Sequence, residues 1–299
     1  MNQIISVIVP IYNGEKYIQK MLKSLVEQTY PYFEVFLVED HSTDNSKTII
    51  SEFCRNDERF KLLEPQEKMG TAVRGQEYAL PYCNGEYHFY LSQDDFLDKD
   101  FFEKCIEVFD TKKADVAIPN CILYDAFSNK KLGEYPLNND YEHSLNNHKA
   151  FELSLDWKIH GFTMEKMSLF KKVGLKATYY NSDEYYKRIL FLEAKGIYFV
   201  DSNFYYRQDN PNAITKGIKY IHIDVLTTDF LLYRRLSREN YDKLVCKKHI
   251  KKIVSEYRKW IVRGFKYRLF FGNNGYFFSS LIRLFLPIEK ERIKLVFRR

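Results

Sequence analysis

The sequence predicts an α/β fold, a mainly parallel sheet with flanking helices, followed by a C-terminal helical region. Short β-branched or aromatic runs alternate with helical patterns over the first 120 residues. The connections between them are short, which parallel strands with helices on both faces require. Beyond residue 218 the pattern is almost wholly helical. In order, Ile4–Val9, Glu34–Val38, Phe60–Leu63, Tyr87–Leu91 and Asp115–Ile118 read as strands. Tyr17, Ile18, Met21, Leu22, Leu25 and Val26 recur at i, i+1, i+4, i+5, i+8 and i+9, one face of a first helix. Ser42 or Thr43 caps a second, whose buried face carries Ile49, Ile50 and Phe53. Gly70–Pro81 forms a third. Polar loops such as Asn129–Asn147 follow, then a helix over Ser182–Lys195 and a strand over Ile197–Val200.

Composition narrows the class. The chain has 299 residues, 45% hydrophobic and 29% charged, with 12 Gly and 8 Pro, which excludes collagen-like, low-complexity and disordered chains. Five cysteines, scattered and without a C-x-x-C, argue against a disulfide framework or zinc site and for a reducing compartment. The N-terminus lacks a basic segment before its apolar run, so it reads as a strand and the chain as cytoplasmic. Residues 241–299 hold 16 Lys plus Arg against 4 acids, whereas the first 240 hold 30 against 36. A basic, aromatic tail on an acidic body points to an anionic partner for the tail.

In open parallel sheets, ligands bind beyond the carboxyl ends of the strands. There the chain places Pro10-Ile11-Tyr12-Asn13, Glu39-Asp40-His41-Ser42 and Ser92-Gln93-Asp94-Asp95. Adjacent carboxylates raise one another's pKa unless a cation or donors intervene. A divalent ion with phosphate ligands resolves that conflict at Asp94-Asp95. Asp40 can accept from a base or ribose, and Tyr12 offers a π-face for a nucleobase. Together they imply a nucleotide diphosphate ligand.

The run SVIVPIYNGEKYIQKMLKSLVEQTYPYFEVFLVEDHSTDNS resembles the opening of family 2 glycosyltransferases, and NGEYHFYLSQDDFLDKDFFEKCIEVF resembles their strand, metal motif and following helix. The resemblance implies the GT-A fold, a Rossmann-like sheet, over 1–217, with a nucleotide-binding half (1–119) and an acceptor-binding half (120–217), ahead of the helical region 218–299. It assigns Tyr12 to stacking on uracil, Pro10 to the start of the base pocket and Asp40 to the base. Glu39 stands where Asp is usual. Arg74 fits a basic contact, although the usual Arg-Asn pair reads Arg74-Gly75. Asp95 matches the ligand of a divalent cation (Mn²⁺ or Mg²⁺), and Asp94 the carboxylate facing ribose or sugar; Ser92 holds the place of the first Asp of Asp-x-Asp. Family 2 enzymes invert, so a base must deprotonate the acceptor hydroxyl. Asp183 in Asn181-Ser182-Asp183-Glu184 matches that base, with Glu184 the alternative. Arg207 resembles a residue folding over the pyrophosphate, and His160 is placed on the acceptor side.

The implied activity is transfer of one hexosyl or N-acetylhexosaminyl unit from a nucleotide sugar, UDP-linked, to a glycan or lipid-linked oligosaccharide in surface polysaccharide assembly. A catalytically inactive scaffold of the same fold is the alternative. A sugar-nucleotide nucleotidyltransferase needs a Gly-rich basic loop after the first strand, where this chain has Pro10–Glu15. In the tail, Trp260, Ile261, Phe265, Leu269 and Phe270 interleave with Arg258, Lys259, Arg263, Lys266 and Arg268. No uncharged apolar stretch is long enough to span a bilayer. The tail therefore reads as lying on the anionic inner face of the cell membrane, or as packed on the catalytic domain. No nucleic-acid motif accompanies the charge.

Overall fold

The computed structural model describes residues 3–135, 143–179, 181–211, 223–266 and 275–297. Among the described residues ten strands form one sheet, in the order β3-β2-β1-β4-β9-β6-β10-β5, with β7 on β6 and β8 on β10. β1 (Ile5–Ile11), β2 (Phe33–Glu39), β3 (Phe60–Leu63) and β4 (Tyr87–Tyr90) are mutually parallel. β9 (Met164–Lys166) joins β4 and β6 (Val116–Asp125) antiparallel to both. β6 then runs parallel to β10 (Ile197–Arg207), which carries β5 (Phe96–Leu97) antiparallel on its other side.

Period-2 alternation divides the sheet faces. Ile5, Val7, Val9 and Ile11 of β1, with Phe33, Val35 and Leu37 of β2, enter one core. Onto it pack α1 (Ile18–Val26), α2 (Ser46–Asn56) and α4 (Phe101–Lys112), through Met21, Leu22, Leu25, Ile50, Phe102 and Phe109. On the opposite face sits α3 (Ala72–Ala79), which the Thr71 side chain caps. A Cβ on Gly75 of α3 would lie 3.0 Å from the Pro10 Cβ, so glycine here lets the helix press against β1.

Several elements differ from expectation. Neither Ser42 nor Thr43 caps α2, which begins at Ser46 after Asn45. Val26 ends the apolar face of α1 but is exposed. The loop over 129–147 contains β7 (Lys130–Tyr135) and β8 (Ser144–Leu145), and its residues 136–142 lie outside the described ones. β10 continues seven residues beyond Val200. β6 runs unbroken through residue 120, where the two halves were divided. The 217/218 boundary lies outside the described residues, as do Arg268, Leu269 and Phe270.

The chain forms two compact units, 1–177 with 186–211, and 178–185 with 212–299. The second contains α8 (Asp224–Arg238), α9 (Lys243–Lys266) and α10 (Tyr276–Phe297). They enclose their own core of Leu226, Phe230, Ile253, Trp260, Leu281 and Leu284. No helix among the described residues is long and apolar enough to cross a membrane.

Candidate active site

The carboxyl ends of β1, β2 and β4 meet at one rim, built from loops that brace one another. The Asn13 amide donates to Ser42 Oγ (3.1 Å), Thr43 N to Asn13 Oδ1 (2.8 Å) and Gly14 N to Ser46 Oγ (2.8 Å). Ser42 and Thr43 are therefore engaged with the β1 loop, which is why they do not cap α2. A Cβ on Gly14 would stand 2.4 Å from Gln93 Oε1, so a larger residue here would displace the Gln93 amide.

Tyr12 is 42% exposed and held through its main chain. Its N–H donates to Gln93 Oε1 (2.9 Å) and its carbonyl accepts from Gln93 Nε2 (3.0 Å). The Lys68 ammonium sits 3.6 Å from the centroid of the Tyr12 ring. Asp40 is buried, and its two oxygens accept from the amides of Met69 and Gly70. Glu39 faces its own loop, accepting from His41 N (3.1 Å) and Ser42 N (2.6 Å). Pro10 supports α3, and exposed Arg74 reaches back to the Met69 carbonyl at 3.4 Å.

Beyond β4 lies the acidic pair. Asp94 accepts from Ser92 Oγ (2.8 Å) through Oδ1 and from Asn210 Nδ2 (2.8 Å) through Oδ2. Ser92, standing where an Asp is usual, thus orients the neighbouring carboxylate. Asp95 is 1% exposed; its Oδ1 accepts from the Arg207 amide at 2.9 Å, while its buried Oδ2 has no hydrogen-bond partner. Burial, and then the Asp94 charge beside it, push the Asp95 carboxyl well above the usual carboxylate range. An orphaned buried carboxylate oxygen beside a second carboxylate fits a divalent cation that takes its remaining ligands from phosphate and water. Among the described residues no cluster of three or more His, Cys, Asp or Glu forms an all-protein metal cage.

The end of β10 closes this corner. The Arg207 guanidinium carbon lies 4.8 Å from the Tyr17 ring centroid, and Arg207 Nε is 3.4 Å from Asp209 Oδ1. The Tyr17 hydroxyl donates to Asn210 Oδ1 at 3.1 Å. The structure thus gathers Asp94, Asp95 and Arg207, and adds Gln93, Asn210, Tyr17 and Lys68, to which the sequence reading gave no role. Gln93 and Asn210 lie within segments already singled out, but pattern alone cannot show that their amides bridge distant loops.

His160 is a correction. It is 3% exposed, its Nε2 lies 2.9 Å from the Pro119 carbonyl, and its Nδ1 accepts from Phe162 N at 3.2 Å. Burial pulls its pKa down to about 4, so it is a neutral core imidazole with both nitrogens spent on main chain. Nearby lies a buried cluster the sequence did not announce. Glu165 accepts from Lys187 Nζ at 2.8 Å on both oxygens and from Thr163 Oγ1 at 2.9 Å, and lies 2.9 Å from His88 Nδ1. Burial alone would raise the Glu165 carboxyl, but the Lys187 charge and the contacts with His88 and Lys187 outweigh it and hold it low.

Asp183 and Glu184 occupy the first turn of α7 (Ser182–Glu193), where a carboxylate complements the helix dipole. Ser182 Oγ accepts from Thr178 N (3.1 Å) and Tyr179 N (2.8 Å), shaping the entry to that helix. Asp183 is exposed, and both acids belong to the second compact unit.

Against known proteins, the family model described as Glycosyl transferase family 2 matches residues 6–175. Glycosyltransferase GlyG of Streptococcus pneumoniae serotype 4 is 31% identical over 225 residues, covering 72% of this chain and 74% of GlyG. Poly(ribitol-phosphate) beta-N-acetylglucosaminyltransferase TarS of Staphylococcus aureus is 34% identical over 115 residues, 38% of this chain and 20% of TarS. The crystal structure of TarS 1–349 in complex with UDP-GlcNAc superposes with a TM-score of 0.66 at 19% identity, covering 84% of this chain and 71% of that one. The mannosyltransferase PcManGT from Pyrobaculum calidifontis, in complex with GDP-Man and Mn²⁺, gives 0.57 at 13% identity, over 100% and 88%. These structural likenesses show the GT-A fold.

Proposed function

Because the chain belongs to glycosyl transferase family 2, we propose that it is an inverting glycosyltransferase acting in cell-surface polysaccharide assembly. It moves one hexosyl or N-acetylhexosaminyl unit from a UDP-sugar to a glycan or lipid-linked oligosaccharide at the inner face of the cell membrane. The observation that carries the reading is the Asp94–Asp95 corner, with its orphaned carboxylate oxygen, closed by Arg207 at the rim that also presents Tyr12. The UDP-GlcNAc complex of TarS supports the choice of donor.

In this reading the Tyr12 ring is the shelf for the base, and Asp40 fixes the 69–70 amides beside it. Glu39 and Pro10 hold the walls of that pocket. Arg74 and Arg207 face the diphosphate, for which a guanidinium is suited to bidentate contact. Asp95, with Asp94 toward the ribose, holds Mn²⁺ or Mg²⁺, which when bound supplies Lewis-acid charge to the departing diphosphate. Asp183 takes the proton from the acceptor hydroxyl as it attacks the anomeric carbon, and Glu184 is the alternative base.

Thermal stability against nucleotide diphosphates and UDP-sugars, with and without Mn²⁺, tests the donor site, because a ligand binding only the native state raises the melting temperature. A metal-dependent shift with UDP is expected, reduced in Asp95→Ala. Asp183→Asn is expected to lose transfer by about 10²-fold or more while keeping the nucleotide shift. Wild-type turnover in Asp183→Asn would remove Asp183 as base. Nucleotide binding without transfer by the wild-type chain, across donors, would make it a scaffold.

A further inference from the structure

α9 carries nine Lys and Arg against one Glu. Lys247, Lys251, Arg258 and Phe265 recur at i, i+4, i+11 and i+18, a single stripe along the helix. On α10, Phe278, Ile282, Phe285 and Leu286 are 47–64% exposed, at i, i+4, i+7 and i+8. Their neighbours Phe277, Leu281, Leu284 and Ile288 fill the core of this unit, while the outer stripe remains largely at the surface, Phe285 resting its ring edge near Tyr257 (centroids 6.4 Å apart). Between the helices lies a groove of about 590 Å³ lined by Tyr257, Ile261, Phe265, Phe278, Ile282 and Phe285. The Tyr257 hydroxyl donates to the Leu281 carbonyl at 3.4 Å, so the groove presents carbon to whatever enters it.

We infer that this face docks on an anionic bilayer, the groove taking an acyl chain while the basic stripe of α9 meets the headgroups. Charge decides the occupant. A second copy would bring one strongly basic helix against another, which like-charge repulsion disfavours. An anionic lipid surface satisfies the basic stripe and the apolar groove together. No described helix is apolar enough to span, so the contact is interfacial.

The test is co-sedimentation of the full chain with vesicles of phosphatidylcholine alone and of phosphatidylcholine mixed with phosphatidylglycerol, at low and high salt. The wild type is expected to bind the anionic vesicles, and less tightly in high salt. Lys247→Gln with Lys251→Gln is expected to weaken partitioning about 25-fold, roughly fivefold per basic residue. Ile282→Gln with Phe285→Gln is expected to weaken it about tenfold or more through lost apolar burial. These positions are exposed, and an unchanged circular-dichroism melting curve confirms that each variant is folded. A Trp introduced by Ile282→Trp is expected to shift its emission to the blue on vesicles. Absence of vesicle binding, equal binding to neutral vesicles, or a dimer that Ile282→Gln dissolves would overturn the inference. Vesicle binding is read without any transfer reaction, so its failure leaves the donor-site reading standing.

Discussion

Tyr12 owes its position to an amide that reads as an ordinary loop residue. Gln93 returns both hydrogen bonds to the Tyr12 main chain, so the half-exposed ring is held at the rim by its backbone, with the Lys68 ammonium over its face. Gln93→Ala is expected to weaken UDP binding by about five- to thirtyfold, the equivalent of one or two hydrogen bonds, with little loss of global stability. Titration calorimetry with UDP reads this directly, and unchanged affinity would show that the clamp is dispensable. The acids and aromatic of the rim were legible because they sit at strand ends, where ligands bind in such sheets. Gln93 and Asn210 were not, because a bridging amide is defined by what it reaches across the fold. His160 misled for the opposite reason: a histidine beside glycine in a loop-rich stretch gives no sign that both nitrogens are spent on backbone. That burial has a consequence for acid stability. The folded imidazole is neutral down to about 4, while the unfolded one takes a proton below 6.5. Stability is therefore full above the unfolded value and falls as pH drops from 6.5 toward 4, by at most about 1.4 kcal/mol per pH unit from this group. Urea denaturation at pH 7 and pH 5 is expected to show the loss, with a smaller slope in His160→Gln.

Among the elements, the central strands were legible and the joints between them were not. β1 to β4 are runs of β-branched and aromatic residues with helical patterns between, so both periods announce themselves. β5 and β8 are two residues long, and β9 three, too short for any period. β9 nevertheless joins β4 to β6 across the middle of the sheet. The same strand carries Glu165, which binds Lys187 on α7 and thereby ties that helix to the sheet. Lys187→Met removes the cation and leaves a buried carboxylate with less compensation. It is expected to cost about 3–5 kcal/mol of stability. Glu165→Gln combined with Lys187→Met removes both charges and is expected to recover much of that loss, as measured by urea midpoints. If the single and double variants are equally destabilised, the lost stability comes from packing of the Lys187 stem against Gly161, 3.2 Å from where a Cβ would stand, and not from the stranded charge.

At the scale of the whole chain, the basic excess falls on residues 241–299, within the second compact unit. The acidic first 240 residues contain the sheet, whose core is built from β1, β2 and the helices over them. The basic tail contains α9 and α10, which share with α8 a core that has no residue in common with the first. Two cores, each buried by its own elements, need not melt together, and two-state treatment fails where domains unfold separately. Tyr12, Asp40, Asp94, Asp95 and Arg207 all belong to the first unit. A ligand stabilises only the states that bind it, so nucleotide held by those residues acts on the first unit's unfolding equilibrium. Scanning calorimetry is therefore expected to resolve two transitions, of which UDP with Mn²⁺ raises one. At a free ligand concentration of a hundred times Kd, the added stability of that transition is about 2.7 kcal/mol. Gln93→Ala should shrink the shift, and Ile282→Gln with Phe285→Gln should leave it intact. A single transition raised as a whole would mean that the two units fold cooperatively, so that donor binding stabilises the helical unit as well as the sheet.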